Sequence, residues 1–287
     1  MTTLKWGSFT IQTDSHAPPP TYSNPGLKVN GGSMWMASNV QVLSNGNLEL
    51  SLQQNSGQYW NNNGQQEEIW AASEAVFQNT VNYGTYCCTF KITDGNGNLA
   101  WDQFALSNPS PPQLNMTTTF GIFLYDKGTG GGSNAHSEID FLELGYQGQP
   151  NDGSGWIANQ PGGPIKNNGQ FTLQPWDAAT KDKPDWNILK RIAIDVTKIP
   201  SSGEVTVLVK WTAGGTPIEF YLAYGAFDSS KFPFTSVDTI SHTTPTSVNS
   251  YVPSKSSGMK LHMNLWPYGG PSTAKPVFCE ISHLEMP

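Results

Sequence analysis

Apolar and polar positions along this chain alternate in short runs. Lys260-Leu261-His262-Met263-Asn264-Leu265-Trp266 is the clearest, with Leu261, Met263 and Leu265 on one face and His262, Asn264 and Trp266 on the other. A period of two is the geometry of a half-buried β-strand. Tyr83–Ile92 alternates likewise: Tyr86, Cys88 and Phe90 share one face, and Thr85, Cys87 and Thr89 the other. Parity turns Cys88 inward and Cys87 toward a groove. Asn39–Leu43 and Leu48–Leu52 flank Ser44-Asn45-Gly46-Asn47, and an Asn-Gly turn between alternating runs predicts a hairpin. Further strands are predicted at Ser8–Gln12, Phe120–Tyr125, Arg191–Val196, Glu204–Trp211, Pro217–Tyr224 and Val277–Leu284. Glu67–Phe77 fits a strand or a short helix, with a strand favoured from about Ala71. Residues 53–66, rich in Asn, Gln and Gly, read as a long loop with Tyr59 and Trp60 within reach of a ligand. Residues 146–185 read as loops with short strands around Trp156 and Trp176, and residues 1–32 as an irregular lead-in around Pro18-Pro19-Pro20. With few helical periodicities, no internal repeat and no linker, the pattern predicts one all-β domain over 1–287. Its architecture is a sandwich of two antiparallel sheets, six or seven strands each, with the polar face of one lining an open groove.

One run departs from simple alternation. Glu138-Ile139-Asp140-Phe141-Leu142-Glu143 puts three carboxylates in six positions. On a strand, Glu138 and Asp140 share a face, with His136 two residues earlier, and Ile139 and Phe141 take the other. Glu143, at an odd offset, would fall on the apolar face, where an unpaired charge is costly. One extra residue looped out at Phe141-Leu142 would return it to the polar face, so a β-bulge is predicted there. Glu138 and Glu143 then stand like an i, i+4 pair, roughly 13 Å apart at the backbone, with side chains able to lean inward over Asp140. Two carboxyls about 5–5.5 Å apart are the arrangement for glycoside hydrolysis with retention. Three acids this close should spread in pKa, so that one stays protonated near neutrality. The plain alternative is a solvated strand face.

Composition narrows the partners. Net charge is −7, from 22 acids and 15 bases, and no Lys/Arg cluster exists to favour nucleic acid or anionic lipid. A neutral polymer suits such a surface better. Ten Trp and ten Tyr fit sugar stacking, although aromatics more often fill cores. No stretch approaches the length of a membrane span, and Met1-Thr2-Thr3-Leu4-Lys5 has no apolar signal core. Cys87, Cys88 and Cys279 are too few for a disulfide scaffold, and no zinc motif occurs. Asn115-Met116-Thr117 is a glycosylation sequon.

Glu138-x-Asp140-x-x-Glu143 on a strand resembles the catalytic signature of family 16 glycoside hydrolases in its bulged form. Asn39–Leu52 resembles that family's early Asn-Val … Asn-Gly-x-Leu-x-Leu hairpin, and Tyr83-Gly84-x-Tyr86 its Tyr-Gly-x-Phe/Tyr strand. Met259-Lys260-x-x-Met263-Asn264-Leu265-Trp266 resembles the Met-Lys-Ile-Met-Met-Asn-Leu-Trp strand of lichenase-like members, and Val277-Phe278-Cys279-Glu280 falls where the closing strand falls. These landmarks come in family order over roughly residues 35–285. The resemblance implies a β-jelly roll of the concanavalin A-like lectin/glucanase type with an open concave cleft. It implies Glu138 as nucleophile, Asp140 as its assistant and Glu143 as acid/base. It also implies substrate binding by Glu74, Tyr83, Asn264 and Trp266. For Glu74 an ordinary exposed strand acid stands as the alternative. His136 stands where the family has Trp, either binding sugar or modulating Glu138, or simply a satisfied hydrogen-bonding His.

Three departures bear on the substrate. Cys87 and Thr89 hold places where the family often has Glu and Arg. Asp195-Val196 lacks the sugar-platform Trp of the later strand. Residues 197–240 do not match the family's Phe-Tyr-Val-Asp-Gly hairpin. The function implied is an endo-acting retaining hydrolase of a β-linked polysaccharide, first β-1,3- or β-1,3-1,4-glucan and second galactans. A carbohydrate-binding jelly roll without catalysis is the alternative, and a polysaccharide lyase a third, disfavoured because three acids would repel a uronate chain. No cofactor is required, a structural calcium stays open, and a monomer is expected. The substrate class favours an extracellular location. A Cys88–Cys279 disulfide and buried free thiols are both open, the thiols being the commoner outcome.

Overall fold

The computed structural model describes residues 2–13, 33–62, 65–101, 118–127, 137–145, 168–174, 190–213, 217–244, 253–267 and 276–287. His136, Trp156, Trp176, the sequon and the proline-rich lead-in lie outside them. In chain order the strands are β1 (Thr2–Trp6), β2 (Phe9–Thr13), β3 (Ser33–Trp35), β4 (Val40–Val42), β5 (Leu48–Asn62), β6 (Gln65–Phe77), β7 (Gly84–Thr93) and β8 (Thr118–Asp126). They continue with β9 (Ser137–Gly145), β10 (Gly169–Gln174), β11 (Lys190–Ile192), β12 (Glu204–Trp211), β13 (Glu219–Tyr224), β14 (Ile240–Thr243), β15 (Lys260–Pro267) and β16 (Val277–Glu285). Among the described residues no helix is long and apolar enough to cross a membrane.

The strands follow one path, β11-β10-β9-β8-β15-β6-β5-β16-β7-β12-β13-β14, with β1 to β4 attached at its middle. Apart from the parallel β3–β6 contact, the pairs are antiparallel. The strip folds on itself, so that β11 to β6 form one layer and β5 to β14 the other. Aromatic pairs lock the two: Tyr86 on Phe141 (5.1 Å between ring centroids), Phe90 on Phe120 (4.9 Å) and Phe171 stacked on Phe220 (5.2 Å). Each pair joins a strand of the first layer to one of the second, and all six rings are buried in one core. This is the jelly-roll sandwich the alternation predicts, with one difference. The sheets are continuous through the β5–β6 hairpin.

That hairpin corrects the reading of residues 53–66 as a loop. Gln53 pairs with Ala71 and Asn62 with Gln65, with a register shift between Asn55 and Tyr59. Asn, Gln and Gly are poor strand formers, but a ladder needs only paired backbone, and the partner strand supplies it. The predicted lead-in strand is a β1–β2 hairpin, closed by Trp6 opposite Phe9. The Asn-Gly turn forms as expected, with Gly46 at φ 86°, a conformation natural to glycine. The strand predicted to reach Val196 stops at Ile192. Asp195 instead accepts the Thr197 backbone N–H at 3.0 Å and caps a single 3₁₀ turn, Val196–Lys198.

Parity holds on β7, yet Cys87 does not face a groove. It points out of the second layer, beneath Phe227 and Phe232 from the segment after β13, with Leu208 and Ala223 beside it. Its Sγ lies 3.5 Å from the Phe227 carbonyl. Alternation says which residues share a face, but only the layer assignment says which face is wet. All three cysteines are buried free thiols, so the Cys88–Cys279 bridge is not formed.

Candidate active site

The first layer carries the carboxylates on the face turned away from the core. Leu261, Met263 and Leu265 of β15, Ile122 and Leu124 of β8, and Phe171 and Leu173 of β10 all enter the core. Their alternates therefore line the other side. Strand β9 lies between β8 and β10, and its register shifts against both. Ile122 pairs with Leu142, but the next residue of β8, Phe123, pairs with Asp140, leaving Phe141 as the extra residue. On β10, Gln170 pairs with Glu143 and Thr172 with Asp140, so two residues of β9 oppose Phe171 alone. This is the predicted bulge. Its cause is visible in the packing: Phe141 and Leu142 are consecutive, yet both are buried, at 2% and 0% exposure. Turning two neighbours inward requires one residue of slack, and the slack returns Glu143 to the face of Glu138 and Asp140.

Glu143 is held far from its ordinary titration range. Burial, and then the charge of Glu138, push its pKa from 4.5 up to about 8, against the opposing hydrogen bonds. Gln170 Nε2 donates to Oε2 at 2.6 Å, and Thr172 Oγ1 approaches the same oxygen at 3.4 Å. The mutual influence of Glu138 and Glu143 places their carboxyls in one electrostatic neighbourhood. Asp140 between them is 1% exposed. One acid that holds its proton near neutrality beside a second carboxylate is the pairing that acid and nucleophile chemistry needs.

A direct cross-strand row continues from this acid: Gln170, Glu143, Gly121, Asn264, Glu74. At Gly121 a β-carbon would stand 2.7 Å from Asn264 Oδ1, so any larger residue there would displace the Asn264 side chain. That oxygen is buried with no hydrogen-bond partner among the described residues. The adjacent row runs Thr172, Asp140, Phe123, His262, Val76. The structure thus brings Glu138, Asp140, Glu143, Asn264 and Glu74 onto one wall. Trp266, half-buried, is two residues beyond Asn264 and pairs with Thr119. Tyr83 does not join them. It precedes β7 in the opposite layer, its ring 4.5 Å from Trp211 and its hydroxyl accepting the Lys255 backbone N–H at 2.9 Å. His136 lies outside the described residues. Gln170, Thr172, Phe123 and His262 were not singled out from sequence. Only His262 carried a signal, its polar-face parity on β15.

Among the described residues no group of three His, Cys, Asp or Glu is arranged to hold a metal ion. Glu49 and Glu280 approach on the outer face of the second layer, but Gln41 donates to the first at 2.7 Å and Lys91 pairs with the second at 3.2 Å.

No protein-family model matches the chain, and no curated protein matches it. Solved structures do. A Bacteroides ovatus mixed-linkage glucan family 16 glycoside hydrolase in complex with a product is 14% identical at a TM-score of 0.51, covering 96% of this chain and 94% of its own. An immunostimulatory antigen and pseudo β-1,3-glucanase of Mycobacterium tuberculosis is 15% identical at 0.51, covering 94% and 88%. A Bacillus licheniformis β-glucanase is 18% identical at 0.46, covering 95% and 98%. At these identities the first two likenesses establish the fold: a concave jelly roll shared with a glycan hydrolase and with a pseudo-enzyme alike.

Proposed function

We propose that the chain is an endo-acting, retaining glycoside hydrolase of a neutral β-linked polysaccharide, with β-1,3- or β-1,3-1,4-glucan the first candidates. The observation that carries this reading is the bulge that sets Glu143 beside Glu138, with Glu143 protonated up to about pH 8. In the first step the Glu138 carboxylate attacks the anomeric carbon. The bond to the leaving oxygen breaks, and that oxygen takes the Glu143 proton. Glu143, now a carboxylate, accepts a proton from water, whose oxygen displaces Glu138 and leaves the anomeric configuration as it began. Gln170 holds the Glu143 carboxyl throughout.

Charge supports a neutral polymer. The wall carries Glu74, Glu138, Asp140 and Glu143. Lys260, of matching parity on β15, has its ammonium 3.3 Å from the Gln78 carbonyl. A sulfated or uronate chain would meet repulsion there. An open wall, unlike a closed pocket, admits the middle of a chain, which favours endo-cleavage. The substrate class keeps an extracellular setting as the expectation.

The test is a screen of laminarin, barley glucan, agarose and carrageenan with product analysis, run beside Glu138→Gln and Glu143→Gln. Cleavage of a neutral glucan that both variants abolish supports the reading. Turnover untouched by either variant overturns it. Binding without turnover moves the chain to the carbohydrate-binding alternative.

A further inference from the structure

Alternation turns His262 to the polar face of β15 but does not say what the imidazole does there. The lichenase-like pattern has methionine there, an apolar residue on a polar face. In this chain the imidazole is 13% exposed, and its Nδ1 lies 3.1 Å from Glu74 Oε1. The ring stacks on Phe123 at 5.2 Å and 21°, and meets the Tyr125 edge at 5.6 Å. Two rings and a carboxylate therefore fix one imidazole, and the imidazole in turn fixes the carboxylate. Glu74 keeps 28% exposure. Its direct neighbour across the ladder is Asn264, whose buried Oδ1 has no partner among the described residues. A polar group left short of a partner on a concave wall is a place for a ligand donor.

Resting on the hydrolase reading, we propose that His262 is a positioning residue for a hydroxyl-binding subsite made by Glu74 and Asn264. His262 ties one oxygen of Glu74 and leaves the other to accept from a sugar hydroxyl. Asn264 Oδ1 accepts from a second. Phe123 and Tyr125 hold the imidazole and take no part in the reaction. The ligand is an uncharged pyranose with free hydroxyls, since an anionic group would meet Glu74. The residue acts on grip and not on bond breaking, because Glu74 on β6 stands three strands from Glu143 on β9, roughly 14 Å across the sheet.

The experiment compares the parent protein, His262→Met, His262→Asn, Glu74→Gln and the His262→Met/Glu74→Gln double variant on laminarin and barley glucan. Initial rates give kcat and KM, and quenching of tryptophan fluorescence gives Kd for the same polymers. Melting temperature checks that each variant folds. A hydrogen bond to a charged group sets the scale at about tenfold. His262→Met is expected to raise KM and Kd by about that factor with kcat within about twofold. His262→Asn, which keeps a donor near the Nδ1 position, is expected to recover most of the loss. The double variant should be no worse than Glu74→Gln alone. Multiplying single effects, a fall in kcat at constant KM, or identical behaviour of the Asn and Met variants would each overturn the proposal. A parent that binds glucan without cleaving it refutes hydrolysis, and the Kd series still decides the role of His262. A parent that neither binds nor cleaves refutes both.

Discussion

Glu143→Gln separates the charge of Glu143 from its shape. Glutamine is nearly isosteric with the protonated acid and cannot ionise. Glu143 titrates near 8 in the folded chain, against 4.5 for the unperturbed group. The folded state therefore holds this proton more tightly than the unfolded state does, and the sign follows from linkage. The contribution is fully present below about pH 4.5 and is lost as pH rises through about 8. At 1.36 kcal/mol per unit, a difference of about 3.5 units amounts to about 5 kcal/mol as a ceiling. Water entry and relaxation around Glu138 reduce it. The parent should lose several kcal/mol relative to the Gln variant between pH 5 and pH 9, approaching a plateau above that. At pH 5 the two should agree within about 1 kcal/mol, because Gln170 finds an acceptor in either side chain. The assay is urea denaturation at half-unit pH steps, with equal slopes for the two proteins as the condition for comparing midpoints. A stability difference that stays constant from pH 5 to pH 9 would refute the reasoning, because Glu143 would then be an ordinary ionised surface acid.

Gln170→Leu removes the hydrogen bond that favours the charged form, so the alkaline limb of the kcat/KM profile for glucan cleavage should move to higher pH; a shift downward would contradict the assignment. Deleting Leu142 makes the run regular, Glu-Ile-Asp-Phe-Glu, and should keep both glutamates on one face with cleavage retained, whereas inserting one alanine after Phe141 also gives even parity but sets the glutamates six positions apart, roughly 20 Å at the backbone, and should abolish it; cleavage by the insertion variant, or none by a folded deletion variant, would count against the spacing argument. Phe141→Ala leaves a cavity against Tyr86 and should cost about 3–5 kcal/mol in the same denaturation assay. The thiols should resist a disulfide reagent at pH 8 until the protein is unfolded, since burial pushes Cys87 up to about 12 and holds Cys88 and Cys279 well above the ordinary thiol range.

The period-two runs were legible from residues alone because side chains on a strand answer only to which face is wet. Glu204–Trp211 forms over the bounds read from its pattern, and Leu261, Met263 and Leu265 enter the core as their spacing says. The bulge was legible for the same reason. A charge at an odd offset had to be turned back, and Phe141 and Leu142 were both apolar enough to be turned in. The lateral neighbours were not legible. Gln170 meets Glu143, and His262 meets Glu74, through a strand order that brings together residues 27 and 188 positions apart in the chain. Cys87 shows the same limit. Its parity was readable, but the segment that covers it comes from beyond β13. Local alternation sets the faces. Long-range pairing chooses the layer and the register, and these decide which acid is buried enough to keep its proton.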